Sequence, residues 1–224
     1  LFICGRDEAR LAEVSAQCAS RKVAVHSAII DVTDSDAVSG WMVQCDAVAP
    51  LDLVIANAGI GTTAEIDENI RRTFATNVDG VVNTVLPAIK LFSAVNSLPR
   101  NRRQIAITSS LTGYHGLPTC PAYSASKACV KAWGAALRGS LASQGILVNV
   151  ICPGFVRSRI TDRNTCPMPF FMEADRAATI IVSRLERNVG LITFPWQMRL
   201  IMGLISSLPE CLSMAILSRL PNKN

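Results

Sequence analysis

Gln104-Ile105-Ala106-Ile107-Thr108, followed from residue 121 by a helical pattern that runs to 143, is the stretch that decides the fold. The run is apolar without alternation, which is how a strand reads when helices cover both of its faces. Working outward, comparable strands are expected at Leu1 to Cys4, Val23 to Ile30, Leu51 to Ala56, Leu147 to Ile151 and Gly190 to Phe194. Helical patterns at 7–19, 34–47, 64–95 and 173–188 separate them. Short β-branched runs joined by longer helical crossovers require a parallel sheet, so the expected class is α/β with a doubly wound parallel sheet. Pro87 stands inside the third helical stretch and predicts a kink or break there.

A chain of 224 residues fits one domain over 1–224, long enough to bury roughly 70% of the surface its unfolded form exposes. With 50% of residues hydrophobic and 17% charged, disorder is excluded. The excess of 22 Lys and Arg over 17 Asp and Glu gives +5, but the charges are scattered, so nucleic acid is not an expected partner. Eight cysteines, at 4, 18, 45, 120, 129, 152, 166 and 211, form no Cys-x-x-Cys pair and have no histidine cluster beside them. Metal is therefore not implied, and free thiols, mostly buried, in a reducing cytoplasmic setting are expected.

No signal pattern opens the chain, and no uncharged apolar stretch reaches the length of about 18 residues needed for a spanning helix. After Phe194 the texture changes to Pro195, Trp196 and a methionine- and leucine-rich stretch to Leu220, interrupted by Pro209. Two short helices are expected there, within a segment from about 155 to 224 that serves as a substrate lid or subunit contact. Because few charges interrupt the apolar positions, peripheral contact with a membrane surface is the alternative for that tail.

The strongest chemical signal is Tyr123-Ser124-Ala125-Ser126-Lys127. A spacing of four puts the phenol and the ammonium on one helical face. The ammonium is expected to favour phenolate and to draw the phenol below its ordinary pKa of about 10. A carbonyl oxygen that gains negative charge needs a second donor, and Ser110, just past the 104–108 strand, is the candidate.

Together with Asp31-Val32-Thr33, Asn57-Ala58-Gly59, Thr76-Asn77-Val78, Ser109-Ser110 and Pro153-Gly154, these residues resemble the short-chain dehydrogenase/reductase family, in the family's order from Leu1 to about Ser158. The thirteen-residue spacing from Ser110 to Tyr123 fits the same pattern and favours Ser110 over Ser109. The resemblance implies an NAD(P)-binding Rossmann fold and an oxidoreductase that moves hydride between a nicotinamide cofactor and a carbonyl or alcohol. It implies Tyr123 as general acid/base, Ser110 as donor to the carbonyl oxygen, Lys127 as tuner and ribose ligand, and Asn77 as support for a relay water. It also implies cofactor contacts from Asp31 and Val32 at the adenine, from Asn57, Ala58 and Gly59 at the ribose, and from Pro153, Gly154 and Val156 at the nicotinamide. Ser158, a further implied cofactor contact, stands where the family usually has Thr and retains the hydroxyl.

At the end of the first visible strand Gly5-Arg6 offers a guanidinium and no acid, which favours NADP(H), with NAD(H) as the alternative. Gly59-Ile60-Gly61-Thr62-Thr63-Ala64 fits a dinucleotide fingerprint literally, but two strand-helix units precede it, so it is set aside. The family's own glycine-rich loop, with its first strand and helix, is expected ahead of Leu1. Pro167 to Met172 and the tail from Trp196 point to a hydrophobic or lipid-like small-molecule substrate, and a homo-oligomer is expected. The competing class is a catalytically silent Rossmann protein that serves as a binding module.

Overall fold

The structure, a computed structural model, describes residues 1–61, 64–94, 103–162 and 167–219. Strands β1 (Phe2–Gly5) and β2 (His26–Ile29) pair in parallel, and β3 (Leu53–Ala56), β4 (Gln104–Thr108), β5 (Leu147–Pro153) and β6 (Leu191–Phe194) form a parallel sheet in that order. The helices are α1 (Glu8–Ala19), α2 (Ser35–Val48), α3 (Asp67–Phe74), α4 (Gly80–Ala94), α5 (Pro121–Ser140), α6 (Arg159–Asp162), α7 (Ala174–Glu186), α8 (Trp196–Ser207) and α9 (Glu210–Leu217).

Burial on both faces explains the apolar runs. On one face Ile105, Ile107 and Val148 pack with Val81, Val85 and Val130, which α4 and α5 supply. On the other, Ala106 and Ile151 pack with Met172, Ala177, Leu185 and Ile192, largely from the α7 side. Each such branched side chain, once out of water, stabilises the fold by roughly 1.5–3 kcal/mol. Starts are set locally: Asp7 caps α1 by accepting from the Arg10 amide, and Asp34 caps α2 by accepting from Asp36 and Ala37.

The sheet is in two parts. Among the described residues β1 pairs with β2 and β3 with β4, and no ladder joins β1 to β3. Leu53 and Ile55, alternate residues of β3, remain 38% and 46% exposed, so one face of this strand lacks the helix cover that the central strands have.

Three expectations need correction. The stretch from 64 to 94 does not break at Pro87; α4 runs through it, and the irregularity lies earlier, in a π turn at Ala75–Asp79. A widened turn there lets the fully buried Asn77 reach across to another segment, a demand that periodicity does not reveal. The second strand is shorter than expected, because residues before His26 make no ladder. The cysteines are not mostly buried: Cys45, Cys120 and Cys152 are, but Cys4, Cys129 and Cys211 are exposed, because they fall on solvent-facing positions of β1, α5 and α9. Cys166, Thr62, Thr63 and Leu220 to Asn224 lie outside the described residues.

The two expected helices after Phe194 are present. Met202 of α8 and Ser213 and Leu217 of α9 face inward, while Trp196, Leu200, Leu204, Leu212 and Ile216 are exposed. Among the described residues no helix is long and apolar enough to cross a membrane.

Candidate active site

The carboxyl ends of β4 and β5 and the first turns of α5 converge on Ser110, Tyr123 and Lys127. Ser110 leaves β4 and opens a 3-10 turn at Leu111–Tyr114, where its hydroxyl accepts from the Thr112 amide at 3.2 Å. The same hydroxyl lies 3.5 Å from the Pro153 carbonyl at the end of β5 and is near enough to the Tyr123 phenol to favour its ionised form. Ser109, by contrast, donates to the Lys127 carbonyl at 2.7 Å, so its hydroxyl is spent on holding α5. The choice of Ser110 over Ser109 thus has a geometric reason.

Close approach fixes this arrangement. A Cβ on Gly113 would lie 2.8 Å from the backbone carbon and oxygen of Lys127, so glycine is required for the turn after Ser110 to rest against α5. Pro121 at the first helical position suits the start of α5, since its missing N–H costs nothing there.

Lys127 is 3% exposed, and its ammonium donates to the Thr108 carbonyl at 2.9 Å. Burial of the charge brings its pKa down from 10.5 to about 8. The ammonium sits 6.0 Å from the centre of the Tyr123 ring. The expected depression of the phenol does not occur: burial pushes Tyr123 up to about 12, opposed by the nearby Ser110 hydroxyl. Spacing put both groups on one helical face, but the ammonium is drawn to the Thr108 carbonyl, and desolvation of the phenolate prevails.

Asn77 is fully buried with its amide committed. Its oxygen accepts from the Ile60 amide at 2.8 Å, and its nitrogen donates to the Ile60 carbonyl and the Ser126 hydroxyl, each at 3.0 Å. Ser126 in turn donates to the Tyr123 carbonyl at 2.8 Å. The side chain therefore clamps the loop after β3 against α5. Ser126 lay inside the quoted motif, yet its linking role had no signal in the sequence.

A Cβ on Gly59 would stand 3.2 Å from the Lys127 ammonium and 3.4 Å from the Asn77 oxygen. Asn57 accepts from the Thr108 hydroxyl at 3.2 Å, so Asn57, Ala58 and Gly59 pass directly over the lysine. The literal fingerprint from Gly59 to Ala64 does not open a helix, since α3 begins at Asp67. Val32 packs on Gly80, and its carbonyl accepts from Asn83. Asp31 accepts from the amide and hydroxyl of Thr33 and pairs with Arg6 at 3.1 Å, so two residues assigned to different parts of a nucleotide meet.

Beyond β5, Gly154 is covered by Pro195 and by Met198 of α8. Val156 bridges Met172, closing the neck of the segment between them, and Ser158 is spent on the start of α6 with Thr161. Arg157 and Glu173 pair across the same neck at 2.7 Å. A cavity of about 330 Å³ lined by Asp52, Leu53, Gln104, Leu147, Leu185, Glu186 and Asn188 lies at the amino ends of the strands. Open α/β sheets bind ligands at the opposite ends, where Tyr123 is.

The chemistry fits a nicotinamide cofactor. The buried ammonium has three donors, and among the described residues the Thr108 carbonyl is the acceptor it meets, which leaves donors for vicinal ribose hydroxyls. Asn57 to Gly59 and Pro153 to Gly154 border the same space.

Comparison with known proteins agrees. The short chain dehydrogenase family matches residues 1–167. An uncharacterized oxidoreductase of Myxococcus xanthus is 35% identical over 98% of this chain and 87% of its own length. A putative ketoacyl reductase of the granaticin polyketide synthase of Streptomyces violaceoruber is 32% identical over 72% of this chain and 60% of its own. Among solved structures, a short-chain dehydrogenase from Sphingobium yanoikuyae in complex with NADPH superposes with a TM-score of 0.74 over 94% of this chain and 87% of that one, at 23% identity. A short chain dehydrogenase from Mycobacterium paratuberculosis bound to NAD gives 0.67 over 82% and 77%, at 24% identity. With a Rossmann-type parallel sheet and a family match over three quarters of its length, the chain belongs to the short-chain dehydrogenases and is an oxidoreductase of that family.

Proposed function

We propose that this protein moves hydride between NADP(H) and a hydrophobic carbonyl or alcohol, with Ser110, Tyr123 and Lys127 as the catalytic residues and Asn77 as their support. The observation that carries the reading is the convergence of the Ser110 hydroxyl, the Tyr123 phenol and the buried Lys127 ammonium at the carboxyl end of β4. When bound, the nicotinamide supplies or accepts the hydride. Tyr123 gives the substrate oxygen its proton in reduction and takes it back in oxidation, while Ser110 donates to that oxygen as charge develops. Lys127 holds the ribose. Leu111, the residue after Ser110, packs in an apolar cluster with Met202 and the partly buried Leu117 and Met198, and this apolar neighbourhood supports a hydrophobic substrate. The apolar outer faces of α8 and α9 support a subunit contact in a homo-oligomer, a role that fits the tail better than free exposure to water.

The test is oxidation of NADPH, followed by absorbance, over a panel of ketones and aldehydes of increasing chain length. Turnover that improves with apolar length is expected. No turnover on any carbonyl, together with tight capture of a protein partner, would favour the silent binding module.

The preference for NADP(H) rests on Arg6. Its side chain is about half exposed and pairs with Asp31, a solvent-screened contact weak enough for a 2′-phosphate to replace. Arg6→Asp removes that donor and sets two carboxylates together, so selectivity for NADP(H) over NAD(H), read as the ratio of kcat/KM values, should fall by about tenfold or more. A ratio within twofold of the parent's would show that Arg6 does not read the phosphate.

A further inference from the structure

The helix that carries Tyr123 starts without a cap of its own. Cys120 is its N-cap residue and makes no side-chain cap bond, and Pro121 has no N–H to offer. The first outward amide is that of Ala122, one residue before Tyr123, and it meets the carboxylate of Glu65, 57 positions away, with both oxygens at 3.3 Å. Among the described residues no cation pairs with Glu65, so this amide is the partner its carboxylate has in the structure. A carboxylate at the amino end of a 20-residue helix gains from the exposed amides and from the helix dipole.

The contact is not isolated. Glu65 belongs to the segment that follows β3, as does Ile60, which Asn77 clamps to Ser126. Two ties therefore join the loop after β3 to the first turns of α5, one on each side of Tyr123, at Ala122 and at Ser126. A phenol that must meet both Ser110 and a substrate oxygen depends on the rotation and height of that turn. Small displacements of reacting groups are costly in rate.

We propose that Glu65 is a positioning residue for Tyr123: through the Ala122 amide it sets the first turn of α5 so that the phenol stays in line with Ser110. This rests on the catalytic reading of Tyr123 given above. The carboxylate does not touch the reacting atoms and acts through the backbone.

The test uses the full chain with NADPH and compares Glu65→Ala, which removes the acceptor, with Glu65→Gln, which keeps an acceptor without the charge. Glu65→Ala should lower kcat about tenfold with NADPH affinity within twofold, and Glu65→Gln should return to within about threefold of the parent. A second readout needs no turnover. The ring carbon NMR signals of Tyr123, distinguishable from those of the one other tyrosine, Tyr114, should move in Glu65→Ala and return in Glu65→Gln. If the parent turns over no carbonyl, the catalytic reading fails, while the ring signals still decide the positioning role. Parental kcat in Glu65→Ala, equal impairment of both variants with parallel loss of NADPH binding, or unmoved Tyr123 signals would each overturn it.

Discussion

Tyr123→Phe is expected to lower kcat for carbonyl reduction by about a thousandfold while NADPH affinity stays within about twofold. The substitution keeps the ring, which lies 6.0 Å from the Lys127 ammonium, and removes only the hydroxyl whose acidity Ser110 influences. Residual rate would come from Ser110 and from orientation of the substrate, neither of which the change touches. The phenol's own acidity sets the direction of the pH effect. Pushed up to about 12, the phenol is protonated throughout the neutral range and is ready to donate, so reduction should be nearly independent of pH from about 6 to 7, below the range near 8 in which Lys127 gives up its proton. Oxidation needs the phenolate and should rise with pH. Steady-state rates in both directions, with cofactor binding followed by NADPH fluorescence, check the pair of expectations. Parental turnover in Tyr123→Phe would remove the phenol from the mechanism.

The acidity of Tyr123 also marks where sequence reasoning stopped. The central strands were legible because Ile105 to Ile107 and Val148 to Ile151 are covered on both faces, which writes burial directly into composition. The meeting of Ser110, Tyr123 and Lys127 was legible because a strand end and a four-residue helical spacing constrain position. The direction of the lysine was not, since nothing in the spacing reveals that the Thr108 carbonyl captures the ammonium. The π turn was hidden for a related reason: Ala75–Asp79 keeps a helical pattern, and what distorts it is a partner, Ile60, that belongs to another segment. Glu65 carried no local motif, because its role is defined by an amide 57 positions away.

Lys127→Met tests whether the protein gives up stability to keep that ammonium in place. A charge that is 3% exposed and has a carbonyl but no carboxylate for company is expensive to bury. The fall of its pKa from 10.5 to about 8 puts the cost at neutral pH at roughly 3 kcal/mol. Below pH 8 both folded and unfolded chains carry the proton and the whole cost is present. Between about 8 and 10.5 the unfolded chain holds the proton more tightly than the folded one, so stability rises with pH across that window. Methionine has similar length and no charge. It removes the cost but leaves the Thr108 carbonyl without its donor, a loss of roughly 1–2 kcal/mol. The cofactor-free variant should therefore be more stable than the parent at pH 7 by about 1–2 kcal/mol, a rise in Tm of about 4 °C, and should lose the upward slope between pH 8 and 10.5. At the same time the ribose loses its ligand and kcat/KM should fall by at least about a hundredfold. Thermal unfolding at a series of pH values, set beside NADPH oxidation, separates the two effects. A variant that is less stable at pH 7 and still shows the slope would mean that the ammonium is not the buried, uncompensated charge this geometry makes it.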